Sequence, residues 1–233
     1  MKTTDGISII IPAYNESECI ADLIRYLKLH GKDNIQIIVS DGGSSDDTIS
    51  IASHEGVLAV KSPKKGRAAQ MNYGASLAKK DILYFVHADC FPPENFYNKI
   101  IDSKRSGFLI GRFQTKFKSN SLLLKMNAFF TRFDWFICSG GDQTLYIAKE
   151  AFNKINGFND SLLIMEDYEF VKRARIHFQY AILKDKALIS ARKYANNSWL
   201  QVQKANYTII KMYNKGIKQE VLVARYKQML NYR

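Results

Sequence analysis

Four short apolar runs, each followed by a stretch of different character, set the architecture of this 233-residue chain. Ile7-Ser8-Ile9-Ile10-Ile11 is rich in β-branched residues and stops at Pro12. Ile35 to Ser40 stops at Asp41-Gly42-Gly43, Val57 to Val60 is shorter, and Ile82 to Val86 ends abruptly in His87-Ala88-Asp89. Pro92 and Pro93 then block any longer strand. Near-continuous apolar runs of this length are the mark of strands buried on both faces, as in parallel sheets. The segments between them have helical period. Asn15 to about Leu29 places Ile20, Leu23, Ile24 and Leu27 on one face. Ser44 or Ser45 caps a second helix, with Asp46 and Asp47 near its N-terminus. Lys64-Lys65-Gly66-Arg67 is a basic turn opening a third, through Lys79. This alternation predicts an α/β fold, a mostly parallel central sheet with helices on both faces.

The second half is less regular. Phe108–Phe117 is expected to be a strand with a bulge at Gly111. Residues 119–138 should form a helix with Leu122, Met126, Phe129, Phe133 and Phe136 on one face. A strand over 143–148, a helix over Lys149–Ile155, a helix over Glu166–His177 and strands near Tyr180–Leu183 and Ala187–Ser190 follow. Trp199, Val202, Ile209 and Tyr213 share a helical face, Gly216 breaks it, and Ile217–Leu230 resumes a helix. The boundaries predict one domain over 1–197 and a basic helical appendage over 198–233.

The net charge of +12 is unevenly placed. Residues 1–171 carry 20 basic and 20 acidic side chains, whereas 172–233 carry 14 basic ones against Asp185 and Glu220. Such asymmetry points to phosphate partners or to a solvated lysine-rich face. No nucleic-acid motif is present, and no nucleic-acid partner is expected. The basic tail and the aromatic helix over 119–138 are expected either to rest on a membrane surface and reach a lipid-linked acceptor, or to pack on the domain or on a second subunit of a homodimer. Cys19, Cys90 and Cys138 have no metal-type spacing. With no leader peptide at Met1–Gly6, they fit reduced thiols in a cytoplasmic protein, peripheral to the membrane at most.

Several polar stretches sit where an α/β sheet presents its ligand crevice, beyond the strand tips. Asp89 ends the fourth strand, where a carboxylate can hold a divalent metal and the metal a diphosphate; a simple turn before Pro92 is the plainer account. Pro12-Ala13-Tyr14-Asn15-Glu16 lacks the glycine pattern of a dinucleotide site and offers a loop with free N–H groups. Asp41 is a pure acceptor, suited to a ring N–H of uracil or guanine, though an Asp-Gly turn also explains it. Arg67 at a helix start conflicts with the helix dipole and hints at an anionic ligand. Glu166-Asp167 opens a helix, either as a dipole partner or with one acid as general base. Asp142, in Gly140-Gly141-Asp142-Gln143, lines the crevice or closes a turn.

In this order the segments resemble the family 2 glycosyltransferases and their GT-A fold. The matching stretches are Ile-Ile-Pro-Ala-Tyr-Asn-Glu (10–16), Val-Ser-Asp-Gly-Gly-Ser-Ser-Asp-Asp-Thr (39–48), His-Ala-Asp (87–89) and Glu-Asp (166–167). Residues 66–75, 85–89 and 141–147 further resemble a compact branch described as arsenosugar-biosynthesis or selenodomain-associated glycosyltransferases. The resemblance implies a nucleotide bordered by Pro12, Ala13, Tyr14 and Glu16, with Asp41 on its base and Arg67 and His87 near ribose or diphosphate. It implies a divalent metal, Mg2+ or Mn2+, on Asp89. It makes Asp167 the catalytic base supported by Glu166, and puts Asp142 and Arg192 toward the acceptor or a phosphate. His87 stands where the family's Asp-x-Asp has its first acid, and a neutral imidazole brings no charge to a hard cation. The Gln-x-x-Arg-Trp of processive members is absent.

The expected reaction is therefore metal-dependent, inverting transfer of a sugar from a nucleoside diphosphate donor, with UDP-sugar favoured, to a hydroxyl on a small or lipid-linked acceptor. The rivals are a nucleotidyltransferase on a similar sheet, which would release pyrophosphate, and a non-catalytic protein binding phosphate surfaces through the basic tail.

Overall fold

The computed structural model describes residues 5–32, 34–134 and 144–230. Eight strands form one sheet in the order β3-β2-β1-β4-β7-β6-β8-β5. The strands are β1 (Ile7–Ala13), β2 (Ile35–Asp41), β3 (Leu58–Lys61), β4 (Ile82–Phe85), β5 (Cys90–Phe91), β6 (Ile110–Phe117), β7 (Leu145–Ala148) and β8 (Tyr180–Ile189). The helices are α1 (Ile20–His30), α2 (Thr48–His54), α3 (Arg67–Ser76), α4 (Phe96–Arg105), α5 (Leu122–Phe130), α6 (Lys149–Lys154), α7 (Glu166–Ala174), α8 (Trp199–Asn214) and α9 (Gln219–Met229).

The first four strands by position, β3-β2-β1-β4, are mutually parallel. Beyond them β7 is antiparallel to β4 and to β6, β8 is parallel to β6, and β5 is antiparallel to β8. The alternation of the N-terminal runs thus reads out as a parallel half-sheet, and the irregular second half as a mixed one. The period of two explains why β1 is buried throughout: Ile7, Ile9 and Ile11 face α1, α2 and α4, while Ile10 faces α3, α6 and α7.

Four expectations are corrected. Helix α1 begins at Ile20 rather than Asn15, because residues 15–17 give their N–H groups to side chains of the neighbouring loop. The irregular register of β6 lies between Phe113 and Gln114 rather than at Gly111. Gly111 is instead a point of close approach, where a Cβ would come within 2.6 Å of Ala181 O and Tyr146 Oη. The two strands expected over 180–190 are one strand, since β6 carries them across that irregularity. The helix expected over 119–138 is shorter, α5 spanning Leu122–Phe130, and in it only Leu124 is buried while Leu122 is 79% exposed. Phe136 lies outside the described residues. Helix α4, with Phe96, Ile100 and Ser103 buried at helical spacing, and the two-residue β5 are elements beyond those expected from the sequence.

Among the described residues no helix is long and apolar enough to cross a membrane. Helices α8 and α9 share a small cluster of Val202, Ala205 and Leu230. They also reach the main body: Gln219 Oε1 accepts the N–H groups of Leu163 (3.0 Å) and Ile164 (3.2 Å), and Tyr213 meets Tyr168 edge to face at 5.7 Å.

Candidate active site

Parallel register brings the C-terminal tips of β1, β2 and β4 side by side, with Ala13 next to Asp41 and Ile10 next to Phe85. Pro12 and Ala13 are buried at that edge, while Tyr14 projects, 60% exposed. The loops after β1 and β2 are stitched to each other. The N–H of Asn15 donates to Ser44 Oγ (2.9 Å), that of Glu16 to Thr48 Oγ1 (2.8 Å) and that of Ser17 to Asp46 Oδ2 (3.1 Å). In return the N–H of Ser45 donates to Asn15 Oδ1 at 2.9 Å. Asn15 sits at φ 55, a left-handed conformation that asparagine tolerates better than most residues. Desolvation acts to raise the Asp46 carboxyl, but hydrogen bonds from Thr48 and Ser17 outweigh it and hold the pKa down at about 2.

Asp41 is 2% exposed. Its Oδ1 accepts the N–H groups of Gly43 (2.8 Å) and Ser44 (2.9 Å), and its Oδ2 accepts the Ser44 hydroxyl. A carboxylate has about four acceptor positions, so capacity for one further donor remains. Gln70, on α3, clamps the strand tips by donating to Ala13 O (2.7 Å) and Ser40 O (2.9 Å). That clamp also accounts for Gly42, where a Cβ would fall 2.9 Å from Gln70 Nε2.

Asp89 lies in a turn closed by the Cys90 N–H donating to His87 O at 3.0 Å. Cys90 pairs with Ile189, and three residues after Ile189 comes Arg192. Strand pairing thus delivers a cation to Asp89: Arg192 Nη2 is 2.9 Å from Asp89 Oδ2. The same guanidinium forks onto Glu16, at 2.8 Å to Oε2 and 2.9 Å to Oε1. Hydrogen bonds to Glu16, working against partial burial and joined by Asp89, raise the Arg192 pKa above its ordinary value. Cys19 Sγ donates to Glu16 Oε2 at 3.1 Å. Burial first, then Glu16, pushes that thiol up to about 12, so it is no nucleophile at neutral pH.

A second cluster forms where α3 and α7 begin. Arg67 Nη1 is 3.3 Å from Glu166 Oε1 and 3.8 Å from Asp167 Oδ2. The cation that conflicts with the α3 dipole is therefore met by two protein carboxylates, which in turn suit the N-terminus of α7. The helices are locked together by Asn72. Its side chain donates to Phe158 O (2.8 Å) and to Asp160 Oδ1 (2.5 Å), and accepts the Phe158 N–H (2.9 Å). Met165, just before the two acids, sits at φ 70, a strained conformation for a non-glycine residue.

Of the residues singled out from sequence, Glu16, Asp89 and Arg192 are joined in one cluster, and Arg67, Glu166 and Asp167 in another. Arg192, expected toward the acceptor or a phosphate, is placed on Asp89 and Glu16. His87 is half-buried at the start of the Asp89 turn. Asp142 lies outside the described residues. Sequence reasoning missed Gln70, Asn72 and the interlocking of Ser44 and Thr48 with the β1 loop. Gln70 had a visible signal, a lone amide among Ala68, Ala69 and Met71 on a buried helix face. Among the described residues no group of three or more His, Cys, Asp or Glu side chains is arranged to hold a metal. Asp89 is a single-carboxylate donor, which fits a hard cation whose remaining ligands are phosphate and water oxygens.

A parallel half-sheet with Asp41 at and Asp89 beyond its strand tips, faced by Arg67 and Glu166-Asp167 at the starts of α3 and α7 and by Arg192 after β8, is the frame of a nucleotide-sugar-type α/β fold. Residues 8–158 match the family model for glycosyl transferase family 2, and the chain belongs to that family. It is similar to the glycosyltransferase GlyG of Streptococcus pneumoniae serotype 4, 25% identical over 190 residues, which cover 74% of this chain and 59% of that relative. The chain thus spans less than two thirds of that relative's length. The fold is that of GT-A enzymes. The mannosyltransferase PcManGT from Pyrobaculum calidifontis, solved in complex with GDP-Man and Mn2+, superposes with a TM-score of 0.71 at 14% identity, covering 89% of this chain and 63% of that one. Glucosyl-3-phosphoglycerate synthase from Mycobacterium tuberculosis, solved with Mn2+, UDP and glucosyl-3-phosphoglycerate, gives 0.61 at 16% identity, covering 92% and 81%.

Proposed function

We propose that this protein transfers a sugar, with inversion, from a nucleoside diphosphate donor to an acceptor hydroxyl, and that a divalent cation, Mg2+ or Mn2+, assists. The observation that carries the reading is Asp89, set at the tip of β4 and presented to Arg192 and Glu16 beside the stitched β1 and β2 loops. The nucleotide base would lie over the β1–β2 edge, its ring N–H directed to the remaining acceptor capacity of Asp41. Uracil and guanine both offer such a donor, and UDP-sugar is the favoured donor. Tyr14 offers an exposed ring beside that edge. Asp89 would hold the cation together with diphosphate oxygens, and the cation would offset charge growing on the leaving group.

Asp167 is the base in this reading. Its carboxylate would take the acceptor proton as the hydroxyl attacks, with Arg67 and Glu166 fixing its position. The affinity of this chain for the arsenosugar or selenodomain branch is part of the proposal and does not name the sugar.

The test is thermal stability against UDP, GDP, ADP and CDP, each with Mn2+, Mg2+ or EDTA. A ligand at about 100 times its dissociation constant adds roughly 2.7 kcal/mol to the folded state. Stabilisation by UDP or GDP that requires metal is the expected result. Absence of any nucleotide effect would overturn the reading, and release of pyrophosphate on turnover would replace it with nucleotidyl transfer.

A further inference from the structure

Helix α5 is built against the usual rule for a water-facing helix. Seven of its nine residues, LLLKMNAFF, are apolar, yet only Leu124 is buried. Leu122, Leu123, Met126, Phe129 and Phe130 stand out to solvent, and Phe129 meets Phe130 and Phe133 at 5.7 and 5.9 Å in an aromatic cluster. An apolar surface of this density marks a contact face. The cations around it show what it contacts. Lys118, Lys125 and Arg132 are exposed along the segment, and Arg132 lies over the Phe129 ring at 3.7 Å. From Ser103 to Phe133 the chain contains no Asp or Glu, and seven Lys or Arg.

A cavity of about 620 Å3 opens directly beside this face. Leu123 and Leu124 form one wall, Tyr194 and Trp199 another, and Lys118 and Arg192 contribute the charge. Its second rim comes from residues between Ser190 and Trp199, within the stretch Lys186–Gln219 that contains no acid. Parts of two acid-free stretches therefore meet at one cavity, and Arg192 links that cavity to Glu16 and Asp89.

We infer that α5 and this cavity form a docking face for the surface of a membrane containing phosphate-bearing lipid. The apolar side chains of α5 enter the boundary between headgroups and acyl chains, and Lys118 meets a lipid phosphate in the cavity. An apolar helix face flanked by cations is the physical pattern for lying in that boundary. The anchoring element is then α5, with the basic tail supplying only the end of the second rim. Combined with the proposed transferase reading, on which this last step rests, the acceptor is a hydroxyl carried by a phosphate-bearing lipid.

The experiment is flotation of the full chain with vesicles of phosphatidylcholine alone or mixed with phosphatidylglycerol. Binding to the mixed vesicles should exceed binding to the neutral ones by about tenfold or more at low salt. The double substitution Leu122→Glu with Met126→Glu should reduce it by a similar factor, as should Lys118→Glu. Leu122 and Met126 are exposed, so both the melting temperature and the nucleotide response should stay at the parent values. Failure of the parent to float, or flotation of the double variant equal to the parent, would overturn the proposal. So would stabilisation by inorganic phosphate without vesicle binding, which would make the cavity a site for a free anion. Flotation without any UDP or GDP effect would leave the docking face standing and remove the transferase reading instead.

Discussion

Asp89 carries an arginine where the proposed reaction wants a divalent cation. The guanidinium of Arg192 neutralises Asp89 and Glu16 together, so a cation arriving at Asp89 competes with it. Arg192→Met should therefore bind Mn2+ alone several-fold more tightly, while losing affinity for UDP or GDP, whose diphosphate the arginine would otherwise meet. Manganese resonance and calorimetry would show both. Asp167→Asn belongs to the same scale: turnover should fall by about 10²–10⁴ with nucleotide affinity kept, and an equal loss of both would remove the base. Asp46 gives a pH signature. Its pKa is lowered from 3.8 to about 2, so its contribution to stability is complete above pH 4 and is lost as pH falls through 2. The stability difference between the parent and Asp46→Asn, followed by chemical denaturation, should be constant at neutral pH and shrink across that acidic window. Asp89 itself was legible because an apolar run stopped at it. Its partner was not, since Arg192 reaches it through the pairing of a two-residue strand, which has no periodicity to read.

Helix α3 does most of the positioning among the elements. It supplies Arg67 to the acids, Gln70 to the strand tips and Asn72 to the segment leading to α7. It can do so only by lying close to β1. At Gly74 a Cβ would fall 2.5 Å from Ile10 Cγ2. Gly74→Ala should destabilise the fold by about 1–3 kcal/mol through overpacking, measured by urea unfolding. Helices and strands of the N-terminal half were legible because each had a clear period and a polar stop. The start of α1 was not, because cross-loop hydrogen bonds outweighed the local helical preference of residues 15–19. Helix α5 shows the converse: a helix was read there, longer than the one that forms, but period cannot say whether its apolar side chains meet a core or something outside the chain.

At the scale of the whole molecule, the division at 197/198 is less sharp than composition implied. The tail keeps a cluster of its own, yet Gln219 accepts two N–H groups just upstream of Met165 and the acid pair. Gln219→Leu removes that acceptor. It should lower turnover while leaving nucleotide affinity unchanged, and Gln219→Glu, which keeps an acceptor, should restore it. The charge asymmetry was legible as a number, but its arrangement was not. Only the fold shows that parts of the acid-free stretch before Asp134 and of the one after Asp185 meet at one cavity.

The link between Glu16 and Arg192 also has a consequence in time. These partners are 176 residues apart, and they meet only when β8 has paired with β5. Contacts of such long range form late, because the intervening loop must close before any of them is rewarded. A chain emerging from the ribosome can assemble β1 to β4 and still hold Asp89 without its counter-ion. If Arg192 meets the diphosphate as proposed, nucleotide binding would report that β8 has joined the sheet.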